Sequence, residues 1–233
     1  MNLKKIKHLI IQIMENSEFL QQYARKKAEK NQGNFLSRKR TELHERWQNI
    51  SDGSLESYIK GRNGESFLLT QIKSLSIIFD DDILEIGCNV GRNLNHLYVN
   101  GYHKLHGIEI NQKAINKMSE TFPSVHNSSN IIQGSVEEKI KQFKDNEIKL
   151  TFTMAVLQHI HPESNFIFKE MSRITSKYII IMERETHTHI FDEFSRNYKK
   201  IFEELGWMEL RGESLDHLFP NRLGYHFRLF EKQ

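Results

Sequence analysis

One cysteine, three prolines and twelve glycines in 233 residues leave this chain little punctuation. The lone thiol, Cys88, has no partner for an internal disulfide, which fits a reducing compartment and points to the cytoplasm. So few prolines and glycines leave no material for a long flexible linker, and no internal repeat or low-complexity tract is found. No stretch approaches the roughly 18 apolar residues of a membrane helix, so no membrane partner is expected. The opening 1–13 mixes lysines with isoleucines, but polar residues interrupt it and no small-residue cleavage site follows. It reads as a helix, not a signal peptide.

What is present is ordinary for a folded domain: 38% hydrophobic and 27% charged residues, too apolar for disorder. The length allows one good core with an appendage. The expected division is a helical N-terminal extension over 1–50, serving as lid or interaction arm, and one domain over 51–233. The net charge of +3 is uneven, because residues 1–46 hold eleven Lys/Arg against five Asp/Glu. The runs Arg25-Lys26-Lys27 and Arg38-Lys39-Arg40 are its densest parts. Such a run is either the solvated face of a helix or a contact for nucleic acid or an anionic substrate. The same exposed helices are a candidate surface for pairing two chains.

Apolar residues recur at helical spacing through Ile6, Leu9, Ile10, Ile13, Phe19 and Tyr23, and a second helical stretch runs to Trp47. Ser54 is placed to cap a third helix, and 65–77 is amphipathic. From Asp80 the texture changes to short apolar runs alternating with helical patterns, the mark of βα units around a parallel sheet. Strands are expected at 83–86, 105–110, 131–133, 148–154 and 178–182, with helices near 92–99, 112–121, 136–143 and 163–175. After a helix over 191–205, the segments 208–211 and 225–230 close the sheet as an antiparallel pair. The fold class is thus α/β, a Rossmann-like doubly wound seven-stranded sheet with a helical N-terminal extension.

In such sheets ligands bind beyond the carboxyl ends of the strands. The first strand leads into Glu85-Ile86-Gly87-Cys88-Asn89-Val90-Gly91 and then a helix. Gly87 lets the chain turn sharply, and Gly91 is expected to let the backbone approach a ligand. Eighteen residues past Gly91, at the end of the second strand, stands Glu109, able to accept from two ribose hydroxyls. A nicotinamide fingerprint beginning at Gly87 would need glycines at 89 and 92, where the chain has Asn89 and Arg92.

The pattern E-x-G-x-N-x-G with its distant Glu109 instead resembles motif I and the ribose acid of class I S-adenosylmethionine-dependent methyltransferases. The resemblance covers roughly 55–233. Gln133-Gly134-Ser135-Val136 resembles the turn that contacts adenine, with Ser135 where many members carry Asp. Thr153-Met154-Ala155-Val156-Leu157-Gln158-His159-Ile160 is similar to the segment after the fourth strand in small-molecule methyltransferases, most of all in methylases associated with bacterial surface-sugar biosynthesis. The resemblance implies S-adenosylmethionine as cofactor, with S-adenosylhomocysteine as product. It implies a cofactor site of Glu85, Gly87, Cys88, Asn89, Gly91, Asn93, Glu109, Ile110, Gly134, Ser135, Val136, Met154 and Leu157. Tyr58 and Arg62, just before the core, are candidates for the methionine end, where a guanidinium suits a carboxylate. Cys88 is also readable as a small packed residue.

Methyl transfer needs alignment and desolvation, and an oxygen nucleophile needs a base. The candidates follow strands four and five: His159 first, then Glu183 and Glu185 to orient a hydroxyl or amine. His159 could equally bond the backbone and shape the loop. His187 and His189 are spaced like a metal pair, but no further ligands accompany them and no metal is expected. No Asn/Asp-Pro-Pro-Tyr/Phe motif follows strand four, which disfavours methylation of a nucleobase amine. The expected reaction is methylation at O or N of a small metabolite, a sugar or sugar nucleotide among them. RNA or protein methylation through the basic arm, or a non-catalytic S-adenosylmethionine-binding regulator, are the alternatives.

Overall fold

A computed structural model describes residues 39–60, 63–185, 193–194, 196–219 and 224–233. Two helices come first, α1 (Arg40–Gln48) and α2 (Asp52–Ile59), followed by α3 (Asn63–Lys73). The alternating part then runs β1 (Ile83–Ile86), α4 (Arg92–Tyr98), β2 (Leu105–Glu109), α5 (Gln112–Thr121), α6 (Pro123–Ser128), β3 (Asn130–Gln133) and α7 (Val136–Lys139). It continues through β4 (Ile148–Met154), α8 (Phe166–Ile174), β5 (Thr175–Arg184), α9 (Tyr198–Glu204), β6 (Trp207–Ser214) and β7 (Tyr225–Lys232). The seven strands form one sheet in the order β3-β2-β1-β4-β5-β7-β6. β1 to β5 pair in parallel, while β7 runs antiparallel between β5 and β6.

Local chemistry explains these elements. β1 and the centre of β5 are buried on both faces, β5 as the continuous apolar run Tyr178–Met182 and β1 as apolar residues interrupted only by Glu85, as a covered parallel sheet requires. The Asn111 side chain caps α5 by accepting from the backbone N–H of Lys113 and Ala114. In α8 the buried residues Ile167, Phe168, Met171 and Ile174 mark one helical stripe against the sheet. Each such side chain contributes about 1.5–3 kcal/mol by leaving water. Two apolar clusters, one built around Ile83, Leu150 and Phe227 and the other around Leu84, Ile179 and Phe230, follow from the alternation of side chains along the strands.

Three boundaries differ from those the sequence suggests. Helix α2 starts after Ser51, not Ser54, because Ser51 takes the extended backbone of a cap position. Helix α8 passes into β5 without a loop, and Thr175 already pairs in the sheet, its Oγ1 2.6 Å from that of Thr151. The expected helix at 136–143 is a single turn of α7 finished by a 3-10 turn over Ile140–Gln142. The strand order reverses between β1 and β4, which is where a doubly wound sheet opens a crevice.

Candidate functional site

The crevice is a cavity of about 550 Å³. Its floor is the loop after β1. Gly87, Asn89 and Gly91 have φ of +71°, +49° and +73°, so the chain enters the left-handed region three times before α4 begins. The two glycines serve packing within the protein. A Cβ on Gly87 would meet Val156 Cγ2 at 2.4 Å, and one on Gly91 would meet Met118 Cγ at 2.6 Å. Gly87 lies on the cavity wall, whereas Gly91 does not. Gly87→Ala is expected to destabilise the fold by at least the roughly 1–2 kcal/mol of a left-handed non-glycine residue. Adding Val156→Ala should recover only the steric part, as thermal unfolding of the single and double variants would show.

Glu109, buried at the end of β2, ties the floor to the next turn. Its Oε2 accepts from the Asn89 N–H at 2.7 Å and its Oε1 from the Asn111 N–H at 2.8 Å. Burial raises its pKa, and the N–H groups of Asn111, Asn89 and Ile110 pull the other way. The Gly134 N–H donates to the Glu109 carbonyl at 2.9 Å, which places Ser135 beside the same cavity.

Glu85 and Asn93 form the second polar pair. Asn93 Nδ2 donates to Glu85 Oε1 at 2.6 Å. Glu85 Oε2, Asn93 Oδ1 and Ser135 Oγ are buried without any partner, and all three residues line the cavity. Burial raises the Glu85 pKa to about 8 despite the Asn93 hydrogen bond and nearby Arg92. Unpartnered buried polar atoms around one cavity mark a site built for a polar ligand.

The expected extension enters the site directly. Leu43, His44 and Trp47 of α1 line the cavity, and Leu43 is buried. His44 Nε2 lies 3.1 Å from Glu137 Oε1, and Asn111 Nδ2 donates to the Trp47 carbonyl at 3.1 Å. Burial alone would raise the Glu137 pKa, but the hydrogen bond and charge of His44 reverse it, and the net shift is downward. Tyr58 of α2 also lines the cavity, and Arg92 holds α2 in place by donating to the Tyr58 carbonyl at 2.9 Å.

Opposite the glycine loop, the segment after β4 brings His159 to the cavity, with the Trp47 and His159 ring centroids 4.6 Å apart. Gln158, His161, Arg184, Glu193, Phe219 and Tyr225 complete this end. The Gln158 side chain has a fixed orientation, because its Oε1 accepts from the Arg184 N–H at 2.8 Å. Its Nε2 is therefore the donor end, facing Tyr225 Oη at 3.0 Å, His159 Nε2 at 3.2 Å and Glu193 Oε1 at 3.4 Å.

Of the residues picked out from sequence, Tyr58, Glu85, Gly87, Cys88, Asn89, Asn93, Glu109, Ile110, Gly134, Ser135, Val136, Met154 and His159 meet around this one cavity. Leu157 does not, being fully buried in the core, and its neighbour Val156 takes the place on the wall. Glu183 is also fully buried, its carboxylate accepting from Thr153 Oγ1 at 2.7 Å, the Val156 N–H at 2.9 Å and the Gln158 N–H at 3.2 Å. Glu185 forms a two-pronged ion pair with Arg228. Neither carboxylate is among the described residues that line the cavity. Arg62, His187 and His189 lie outside the described residues, as does the basic run through residue 38. Among the described residues no group of three or more His, Cys, Asp and Glu could hold a metal ion, and no helix is long and apolar enough to cross a membrane. Sequence reasoning missed His44 and Trp47, which it assigned to an arm, and Arg184, Glu193, Phe219 and Tyr225. For Tyr225 a signal existed: a strand antiparallel to β5 starts at the carboxyl ends of the parallel strands.

Comparison with known proteins agrees with this geometry. Residues 84–180 match the methyltransferase domain family. No curated protein matches the chain in sequence. Magnesium protoporphyrin IX methyltransferase from Synechocystis PCC 6803, solved with bound S-adenosylhomocysteine, is similar in structure, with a TM-score of 0.66 at 12% identity over 84% of this chain and 100% of that one. Geranyl diphosphate C-methyltransferase from Streptomyces coelicolor A3(2), solved with Mg2+, geranyl diphosphate and S-adenosyl-L-homocysteine, superposes with a TM-score of 0.61 at 8% identity, covering 83% of this chain and 97% of that one. The 4+2 cyclase SpnF does so with a TM-score of 0.61 at 11% identity, over 72% and 80% of the two chains. The fold therefore serves more than one reaction, and it is the domain match over residues 84–180, not the fold, that supports a methyltransferase with S-adenosylmethionine as its methyl donor.

Proposed function

We propose that this chain methylates an oxygen or nitrogen of a small metabolite, with sugars and sugar nucleotides the first class to try. One observation carries the reading: the polar cradle of Glu85, Asn93, Glu109 and Ser135 opens onto the same cavity as His159. That cavity, at about 550 Å³, is of a size for small molecules. At the acceptor end the rings of Trp47, Phe219 and Tyr225 offer flat apolar faces, which suit the C–H face of a sugar ring.

The orphan atoms fit the cofactor's chemistry. Glu85 Oε2 and Asn93 Oδ1 are acceptors for an ammonium group. Each Glu109 oxygen accepts one backbone N–H and keeps a lone pair for a ribose hydroxyl. Ser135 Oγ remains to bond the adenine edge. When bound, S-adenosylmethionine supplies an electrophilic methyl group on a sulfonium. The protein's part is to hold the acceptor in line, exclude water and take the acceptor's proton. His159 lines the cavity with its Nε2 3.2 Å from the Gln158 amide, and its imidazole is the group for that proton. Arg40, from the basic run, lines the cavity, which turns this part of the arm toward the site.

The test is transfer of an isotopically labelled methyl group to a panel of sugars, sugar nucleotides and small amines, with RNA and denatured protein as competing acceptors. Turnover on RNA or protein alone would overturn the small-acceptor reading. With a hydroxyl acceptor, His159→Gln should lower kcat by about 10²–10⁴-fold, the usual worth of a general base. S-adenosylhomocysteine affinity should stay within a few fold. A neutral amine needs no base, so an unchanged kcat on an amine acceptor would assign N-methylation.

A further inference from the structure

The segment that carries His159 is strained and is held from two sides. Ala155 has φ +60°, a left-handed conformation that costs a non-glycine residue about 1–2 kcal/mol. Such strain persists only where the surroundings over-determine it. Here the surroundings are two charged groups of opposite sign, a buried carboxylate and a half-buried guanidinium. On one side the Glu183 carboxylate collects donors: Thr153 Oγ1, the Val156 N–H and the Gln158 N–H. On the other the Arg196 guanidinium collects acceptors: the Leu157 carbonyl at 2.8 Å and the Ile160 carbonyl at 2.6 Å. Arg196 is itself fixed by Asn165 Oδ1, at 3.1 Å from Nε and 3.0 Å from Nη2. Its guanidinium also lies over the rings of Phe168 and Phe194.

A carboxylate and a guanidinium thus take up the two kinds of backbone group over Val156 to Ile160, the span that contains His159. Withdrawing these charges even partly from water is unfavourable. Burial pushes the Glu183 pKa up to about 7 and pulls that of Arg196 down. A loop needing only to connect β4 to α8 could have left its N–H and carbonyl groups to water.

We propose that Glu183 and Arg196 are positioning residues, which lock this strained loop so that His159 meets the cavity in a single orientation and a single ring tautomer. The link to the ring is Gln158. Glu183 holds its backbone N–H, and its side-chain amide, anchored on the Arg184 N–H, lies 3.2 Å from His159 Nε2. The proposal deepens, and rests on, the reading of His159 as the base.

The test needs no acceptor. In protein carrying 15N-labelled histidine, long-range proton–nitrogen correlation reads which ring nitrogen of His159 is protonated, with His159→Gln giving the assignment. The wild type should show a single tautomer. Arg196→Met should give a mixture of the two tautomers in a protein that still binds S-adenosylhomocysteine. Arg196→Lys, whose single ammonium can reach one carbonyl better than two, should restore part of the wild-type signal. Glu183→Gln places an amide donor against backbone donors and should also scramble the tautomer. Should Arg196→Met fail to fold, the Arg196→Lys chain carries the same readout. A lower melting temperature with the His159 tautomer unchanged would reduce both residues to structural ones and overturn the proposal. Failure of the functional reading looks different. If His159→Gln leaves methyl transfer intact while Arg196→Met scrambles the tautomer, the base is lost and the positioning claim stands.

Discussion

Glu109→Ala should weaken binding of S-adenosylmethionine and S-adenosylhomocysteine at least a hundredfold in calorimetric titration. A hundredfold is about 2.8 kcal/mol, at 1.4 kcal/mol per factor of ten. Two losses combine. The first is the carboxylate's own bonds to the ligand, and hydrogen bonds to charged groups are worth about 1.5–3 kcal/mol each. The second is internal: Asn89 N–H and Asn111 N–H both donate to this carboxylate, at 2.7 and 2.8 Å, and both would lose their acceptor. Asn89 sits at φ +49°, so the floor of the cavity would lose the bond that holds its least favourable residue in place. The melting temperature should fall with the affinity. Glu109→Gln, which keeps one carbonyl oxygen, should lie between. NAD serves as the control ligand in each titration. Affinity unchanged in the alanine variant would make Glu109 a purely structural clamp. Selective binding of NAD would remove the assignment of the glycine loop altogether.

The parts of this site that sequence reveals are those carried on one stretch of chain or at a fixed spacing along the sheet. Glu85, Gly87 and Asn89 leave β1 together, and Glu109 ends β2 in register beside β1. The continuous apolar run in β5 and the antiparallel closing pair are equally local signals, and the strands fall where they place them. What stayed hidden depends on partners far away in the chain. Glu183 follows the same strand as any acceptor-orienting carboxylate would. Only the packing of the loop after β4 shows that its oxygens are already engaged, by residues up to 30 positions away. Glu185 meets Arg228 43 positions on, through the pairing of β5 with β7. Leu157 and Val156 differ in which faces the cavity because a 3-10 turn begins at Leu157, and no periodicity marks so short a turn. His44 and Trp47 were read as part of an arm since α1 has almost no apolar stripe, with Leu43 its one buried residue. It is held instead by single polar contacts to Glu137 and Asn111.

Glu85 should make cofactor binding depend on pH in a direction opposite to its effect on the stability of the ligand-free protein. Its pKa is about 8 in the fold against an ordinary 4.5, with burial the main cause. Between those values the folded state holds a proton that the unfolded chain has released. Its contribution to stability is therefore complete below the ordinary value and is lost as pH rises through about 8. A ligand ammonium placed against Glu85 Oε2 favours the carboxylate instead. Binding below pH 8 must then expel a proton, and affinity should rise as pH increases from 6 towards 8, by up to tenfold per unit. Glu85→Gln separates the two effects. It removes the buried ionisable group, so the ligand-free protein should melt higher than wild type at pH 8 and vary less with pH. It also removes the negative charge, so S-adenosylhomocysteine should bind more weakly at pH 8, with no rise in affinity from pH 6. Proton release, read by calorimetry in buffers of different ionisation enthalpy, should vanish in the same variant. Glu183 also titrates high, near 7, but does not line the cavity, so Glu183→Gln should alter the pH dependence of stability and leave proton release on binding in place. Proton release surviving in Glu85→Gln would show that the ammonium is held elsewhere. A buried carboxylate kept at a cost to the empty protein, and satisfied only when a cation arrives, is how this cavity would select a charged methyl donor over neutral nucleosides.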